Sequence, residues 1–395
     1  MVIKILKTNL SVFRRKCLQL FDLIIPKKLE LIVFSSSHYI DNLKIYFEYL
    51  NQIQSEFEPI WLAKNNDIIL NIQSINNNYK VYPILSLKGY WTLLRAKFVI
   101  MSHGLWDYYS FLHPNSSKIT INFWHGISMK AMGLSYLNNT LPKNYNFGWD
   151  HMLASSIMEK NLLVKSFNLK PENVPITGIP RNEILYKVKD DQQLKNKITN
   201  KIKQNLKFNP KKIILYAPTY RLNKKINVFP FEDYDQIKLA QYFKDNHILC
   251  ILRFHPNENI EDNKKVSKIL THQNFIIGDQ KSFPEITNLF VISDLLITDY
   301  SSAYFDFLFF ERPTLFFPYD FETYSTSTGF FWDYQELSHN NSVYLQSDLL
   351  QRLDDYLIKD NFDRKSLRLE LKNIHQYDPN NVSKLITDYI RNKLL

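Results

Sequence analysis

Two histidines stand where hydrophobic runs give way to polar turns. His125 follows the run Lys118–Phe123, and His255 ends the run Ile248–Phe254. A histidine at a strand end facing a cleft can take a proton from an attacking hydroxyl near neutral pH. A lone histidine is also often structural, so residue type alone leaves both readings open. Arg253 lies two residues before His255, which puts both side chains on one face if the strand extends that far. Thr219 and Arg221 follow the run Lys212–Tyr216. They could reach a phosphate or a ribose, or form a turn that only caps the strand. Ser301 and Ser302 follow Asp299-Tyr300, past a short apolar run at Leu295–Thr298. Behind them Ala303–Phe310 reads as a helix, whose unpaired N–H groups would suit an anion. The two hydroxyls could add donors there, or one could serve as an N-cap. Arg181 could fork onto a phosphate, or pair with Glu183 at the surface.

The elements that must position these groups follow a repeating pattern. Strands are expected at Leu29–Phe34, Ile60–Ala63, Lys80–Ile84, Lys97–Met101 and Lys118–Phe123. Asp67–Ile72 is a further strand-like candidate, and helices are expected at Asp41–Asn51 and Leu87–Leu94. The second half repeats the pattern, with strands at Lys212–Tyr216, Ile248–Phe254, Phe275–Gly278, Leu295–Thr298 and Thr314–Phe317. Strands alternating with helices predict α/β domains with mostly parallel sheets. Such sheets bind ligands beyond the carboxyl ends of their strands, where the polar groups above fall. Gln346–Leu395 reads as two or three amphipathic helices without chemistry of their own.

The chain has 395 residues, 45% of them hydrophobic and 15% aromatic, which suits two domains with cores of their own. Two cysteines, Cys17 and Cys250, fit no disulfide framework and no metal spacing, consistent with a reducing cytoplasm. No metal site and no cofactor are expected. No Gly-rich dinucleotide loop or Walker loop is present, which excludes the common dehydrogenase and P-loop classes. The net charge of +10 suits an anionic partner. The lysines of Lys187–Lys212 are interrupted by acids and amides, and no nucleic-acid motif is present, so nucleic acid is not the expected partner.

Residues 1–28 carry seven Lys/Arg and one acid, with Ile3, Leu6, Leu10, Phe13, Cys17, Leu20 and Ile24 at helical spacing. No apolar run approaches the ~18 residues of a membrane span. A basic amphipathic helix on an anionic leaflet is one reading. An ordinary helix packed on the protein is the other.

Five stretches together carry a resemblance. They are NFWHGISMKAMG around His125, TGIPRNEIL around Arg181, YAPTYR around Arg221, LRFHP around His255, and TDYSS followed by RPTLFFPYD. In this order they resemble the CDP-glycerol glycerophosphotransferase family, which builds teichoic acids and related capsule polymers. Ile32–Leu50 also resembles the family's N-terminal half. Ile127-Ser128-Met129 departs from the family's usual Thr-Pro-Leu filling, while Trp124, His125, Gly126, Lys130 and Gly133 keep their places. Glu183 stands where the family usually has Asp.

The resemblance implies a GT-B fold: two Rossmann-like domains with parallel sheets facing a central cleft, here with the N-terminal amphipathic helix added. The implied division is residues 1–28 as a membrane-associating segment, 29–178 as the acceptor domain and 179–395 as the donor domain. The implied reaction transfers glycerol or ribitol phosphate from CDP-glycerol or CDP-ribitol to a lipid-linked or polymer acceptor, releasing CMP. His125 is then the base, with Trp124, Gly126 and Lys130 on the acceptor side. His255, Thr219, Arg221, Arg253, Asp299, Ser301 and Ser302 go to the donor phosphates, and Arg181 to either phosphate group. His103 and Asp150 are given no catalytic role. The implied location is cytoplasmic, on the inner face of the membrane. A GT-B glycosyltransferase using a nucleotide sugar is the competing enzyme reading, and a basic nucleic-acid-binding protein the competing non-enzyme reading.

Overall fold

The computed structural model describes residues 20–394, apart from 54, 109–116, 205, 222–226, 256, 257, 259, 261, 262 and 339. Most of the expected N-terminal amphipathic segment therefore lies outside the described residues. The chain forms two compact units. Unit 1 holds Met1–His125, Leu141–Glu183 and Gln376–Leu395; unit 2 holds Gly126–Thr140 and Ile184–His375.

Unit 1 is built on six parallel strands: β1 (Lys28–Phe34), β2 (Glu58–Ala63), β3 (Val81–Pro83), β4 (Ala96–Met101), β5 (Ile119–Asn122) and β6 (His151–Met152). Their order in the sheet is β3-β2-β1-β4-β5-β6. The strand order reverses between β1 and β4, so a crevice opens beyond those carboxyl ends. Ile32, Phe34, Phe98, Ile100 and Ile121 on one face pack against the helix Asp41–Gln52 through Leu43, Tyr46 and Phe47. Val33, Val99 and Met101 on the other face are buried as well. Strands buried on both faces explain why they read as continuous apolar runs.

Unit 2 has five parallel strands: β7 (Lys212–Tyr216), β8 (Ile248–Leu252), β9 (Phe275–Ile277), β10 (Leu295–Thr298) and β11 (Thr314–Phe316). The order is β11-β10-β7-β8-β9, reversing between β7 and β10. Alternate residues serve two cores: Ile214, Cys250, Leu295 and Ile297 on one face, Ile213, Leu215, Leu249, Ile251 and Leu296 on the other.

A charged cluster ties the ends of β7, β10 and β11 together. Arg221 donates from Nε and Nη2 to the Asp320 carboxylate, 2.8 Å each, and from Nη1 to the Thr219 carbonyl at 2.9 Å. Its Nη2 also lies 2.8 Å from Oδ2 of Asp299, an ion pair without hydrogen-bond alignment. Asp299 is wholly buried, and its Oδ1 accepts from the Thr219 and Tyr300 backbone N–H groups at 2.7 and 2.8 Å. The rings of Tyr319, Tyr300 and Tyr324 surround the guanidinium at 4.8–5.6 Å. Burial alone would lower the Arg221 pKa, but the bond to Asp320 and the charge of Asp299 outweigh it and hold the side chain cationic.

Three expectations need correction. Asp67–Ile72 is not a strand but part of the helix Asn66–Ile75. Asn65 caps it by accepting from Ile68 N–H, and only Ile68 and Ile72, four apart, are buried. The expected boundary at 178/179 also misplaces two segments. The helix Val382–Asn392 belongs to unit 1, because Val382, Ile386 and Ile390 lie fully buried in its core. Its register is set by Tyr46 Oη to Thr387 Oγ1 at 3.0 Å and by Ser383 N–H donating to Glu183 at 2.9 Å. Gly126–Thr140 belongs to unit 2. Lys130 bridges Phe330 in antiparallel register, Phe331 N–H donates to the Met129 carbonyl, and Trp332 Nε1 donates to the Ser128 carbonyl. Finally, the expected helix Ala303–Phe310 is α-helical only through Phe307 and tightens into a 3₁₀ turn at Leu308–Phe310.

The buried helix and the charged cluster make different demands on stability. Ile386→Ala should destabilise the protein by about 2–5 kcal/mol, against less than about 0.5 kcal/mol for the exposed Leu369→Ala. Arg221→Ala should cost about 3–5 kcal/mol, because it strands the buried Asp299 charge. Urea-unfolding midpoints measure all three. An Ile386→Ala protein as stable as Leu369→Ala would remove the last helix from the unit 1 core.

Candidate active site

In unit 1 the polar turn after β5 carries His125. The backbone there is bent hard: Trp124 has φ 54° and Gly126 has φ 137°. Left-handed backbone is costly for a side-chain-bearing residue such as Trp124. Three side chains hold it. Asn122 Oδ1 accepts Trp124 N–H at 2.9 Å, Asn42 Nδ2 donates to the Trp124 carbonyl at 3.0 Å, and Arg181 Nη2 donates to the His125 carbonyl at 2.8 Å. Arg181 Nη1 in turn clamps both Asp41 oxygens, at 3.0 and 2.8 Å, and its backbone N–H donates to Asn42 Oδ1 at 2.9 Å.

The His125 side chain itself is exposed. Its ring stacks with Trp124 at 4.7 Å and 23°, and with His103 at 5.2 Å and 17°. His103 follows β4 and is oriented by its neighbours. Ser102 Oγ lies 2.7 Å from His103 Nδ1, and Asp107 Oδ2 accepts the backbone N–H groups of Ser102 and His103, both at 2.8 Å. His103 was given no role from the sequence. The signal was there: Ser102-His103-Gly104 repeats, after β4, the His-Gly turn that follows β5. Asp150 accepts from Thr120 Oγ1 at 2.7 Å and is structural.

In unit 2 the groups divide into those spent on the fold and those turned outward. Arg221 and Asp299 are spent, as described above. Arg253 is spent too: its Nη1 donates to the carbonyls of Gly278 and Phe283, at 2.7 and 3.0 Å. Because β8 ends at Leu252, Arg253 and His255 do not lie on a strand face as expected. His255 is exposed, and its ring stacks with Tyr220 at 4.8 Å. Crowding by the surrounding protein lowers its pKa first, and the positive charges of Lys130 and Arg253 lower it further. That shift favours the neutral imidazole, which carries one N–H donor.

Lys130 also presents exposed surface, yet it sits among enough protein that desolvation lowers its pKa. Asp299 opposes that shift and Arg221 adds to it. Exposure decides whether the ammonium can touch a ligand, and it can. Thr219 is buried, and its Oγ1 has no hydrogen-bond partner among the described residues. Ser302 is the N-cap residue but makes no side-chain cap bond; Ser301 Oγ accepts Ala303 N–H at 3.2 Å in a local turn, and its own O–H stays available as a donor. Ser302 beside it is half-buried. The helix Ala303–Phe307 is only five residues long and carries little macrodipole, so its N-terminus alone offers little to an anion. Among the described residues no group of His, Cys, Asp and Glu is placed to hold a metal ion.

A protein-family model described as CDP-glycerol:poly(glycerophosphate) glycerophosphotransferase matches residues 17–392. The teichoic acid glycerol-phosphate transferase of Staphylococcus aureus (strain NCTC 8325 / PS 47) is 29% identical, covering 83% of this chain and 84% of that protein. A teichoic acid poly(glycerol phosphate) polymerase of Staphylococcus epidermidis (strain ATCC 35984 / DSM 28319 / BCRC 17069 / CCUG 31568 / BM 3577 / RP62A) is 27% identical, but this chain covers 43% of its length. The solved structure of the wall teichoic acid polymerase TagF superposes with a TM-score of 0.74 at 23% identity, covering 100% of this chain and 97% of that one. The fold is thus of the TagF, GT-B type, as expected from the sequence. The chain belongs to the CDP-glycerol:poly(glycerophosphate) glycerophosphotransferase family.

Proposed function

We propose that the protein transfers glycerol phosphate or ribitol phosphate from a CDP-polyol to a hydroxyl of a lipid-linked or polymer acceptor, in teichoic acid or capsule synthesis. The family match over residues 17–392 carries this reading. The relatives support either polyol, since they are named as glycerol-phosphate and ribitol-phosphate polymerases. In the reaction the acceptor oxygen forms a bond to the β-phosphorus, the bridging P–O bond breaks, and CMP leaves with that electron pair. His125 takes the acceptor proton.

The donor phosphates are assigned to unit 2, to Lys130, His255, Ser301, Ser302 and Thr219. Lys130 moves from the acceptor side to the donor side, because its segment is part of unit 2 and its charge is felt at His255. Arg221, Arg253 and Asp299 shape this site without touching the phosphate, and Arg181 does the same for His125. Such chemistry is mostly positioning and charge stabilisation, and these fixed donors supply it without a cofactor.

The reading of residues 1–28 as membrane-associating extends to the described part of that segment. Leu20, Phe21, Leu23 and Ile24 are 55–76% exposed. Asp22 between them turns inward to Lys27 at 3.0 Å and to Lys118. The turn is thus anchored by its acid and offers its apolar side chains outward, as a cytoplasmic enzyme on an anionic leaflet would require. Removing residues 1–19 together with Ile24→Glu should reduce sedimentation with anionic vesicles and spare turnover of a soluble acceptor. Unchanged sedimentation would make the segment structural.

CMP release should be seen with CDP-glycerol or CDP-ribitol in the presence of EDTA. Turnover of a nucleotide sugar instead would favour a glycosyltransferase, and a requirement for restored magnesium would remove the cofactor-free part. His125→Ala should lower kcat by about 10²–10⁴-fold with donor binding nearly intact. His255→Ala and Lys130→Ala should weaken calorimetric binding of the CDP-polyol, and Ser301→Ala should do so less. Donor binding abolished by His125→Ala but untouched by His255→Ala would reverse the roles of the two units.

A further inference from the structure

We infer that Asp41, Asn42 and Arg181 form a positioning device for His125, fixing the strained turn from which the proposed base acts. Two residues of unit 1 with side chains adopt left-handed backbone where these segments meet: Trp124 at φ 54° and Asp41 at φ 62°. Such strain persists only where surrounding bonds over-determine it, and it concentrates at functional sites. Here the bonds link the two strained residues to each other. Asp41 grips Arg181 Nη1 through both oxygens, and Arg181 Nη2 reaches the His125 carbonyl. Asn42, one residue on, donates to the Trp124 carbonyl and accepts the Arg181 backbone N–H. Consecutive carbonyls, of Trp124 and His125, are therefore each held by a donor from a different part of the chain. Asn42 is 1% exposed and Arg181 8%, so neither offers its polar atoms broadly to solvent or ligand.

A network built only for stability would have no reason to grip the two peptides that aim one exposed imidazole. The side-chain ring of His125 makes its stacking contacts with Trp124 and His103. Its orientation thus depends on the Trp124 backbone, which the network sets. The device acts through His125 and touches no substrate in this scheme.

This inference rests on the reading of His125 as the base, and a double-mutant cycle separates the two. Asn42→Ala and Arg181→Lys should each lower kcat for CMP release by about 10–100-fold, part of the effect of losing the base. The calorimetric Kd for CDP-glycerol or CDP-ribitol should change less than about twofold, because the donor groups lie in unit 2. In the His125→Ala background, Asn42→Ala should cost almost nothing further. Asp41→Asn keeps an acceptor for Arg181 and should retain more activity than Asp41→Ala, which also serves if Asn42→Ala fails to fold. If His125→Ala turnover is below detection, the split between kcat and donor Kd in variants of unchanged thermal midpoint decides. Equal losses from Asn42→Ala in both backgrounds, or kcat loss that only tracks a lowered midpoint or weakened donor binding, would overturn the device. An inactive His125→Ala beside a fully active Asn42→Ala would keep the base and remove the network. A fully active His125→Ala would remove the base itself.

Discussion

A carboxylate with no exposed surface governs the second unit. Asp299 sits past β10, at the point where the strand order of the second sheet reverses. A buried charge is tolerated only when paired and hydrogen-bonded. Asp299 meets both conditions by drawing in the Arg221 guanidinium and two backbone N–H groups. Those bonds fix the turn after β7 against the turn after β10. Asp320 completes the pairing from beyond β11. Three adjacent strand ends are thus locked together, and Ser301 and Ser302 follow directly from one of them.

The first unit solves its problem with the same parts. Arg181 pairs with Asp41 and donates to the His125 carbonyl; Arg221 pairs with Asp320 and Asp299 and donates to the Thr219 carbonyl. In each case the planar guanidinium spans a carboxylate and a backbone carbonyl, a geometry that lysine's single ammonium does not offer. Both arginines stand in turns that invite a phosphate reading, and both are held by carboxylates and backbone carbonyls of their own unit.

That difference marks what the sequence could tell. The parallel α/β pattern was legible because strands buried on both faces leave runs such as Lys212–Tyr216 and Leu295–Thr298. The positions of His125, His255, Ser301 and Ser302 were legible because ligand turns follow such runs. The use of each charge was not. Arginine type permits phosphate or carboxylate, and only the tertiary partner, Asp41 or Asp320, decides. Asp67–Ile72 misled because a short β-branched run fits a strand or a helix, and the cap at Asn65 settled it. The transfer of Lys130 to unit 2 rests on bridges to Phe330 and Phe331, about 200 residues away, which no local pattern records. His103 is visible in the sequence but was given no catalytic role although its turn repeats that of His125, because a neighbouring ring becomes meaningful only when β4 and β5 lie side by side.

The placement of the helix Val382–Asn392 in the core of unit 1 has a consequence for biogenesis. Six strands of that unit are synthesised by Met152, yet Val382, Ile386 and Ile390, which fill its core, come about 230 residues later. At ~5–20 residues per second, that interval is about 10–50 s. Throughout it the nascent sheet carries an uncovered patch around Phe34, Tyr46 and Phe123, while Ile184–His375, the larger part of unit 2, is being made. The amino-terminal unit, first to be translated, is the last to be completed, and that interval is when ribosome-associated chaperones have most to protect.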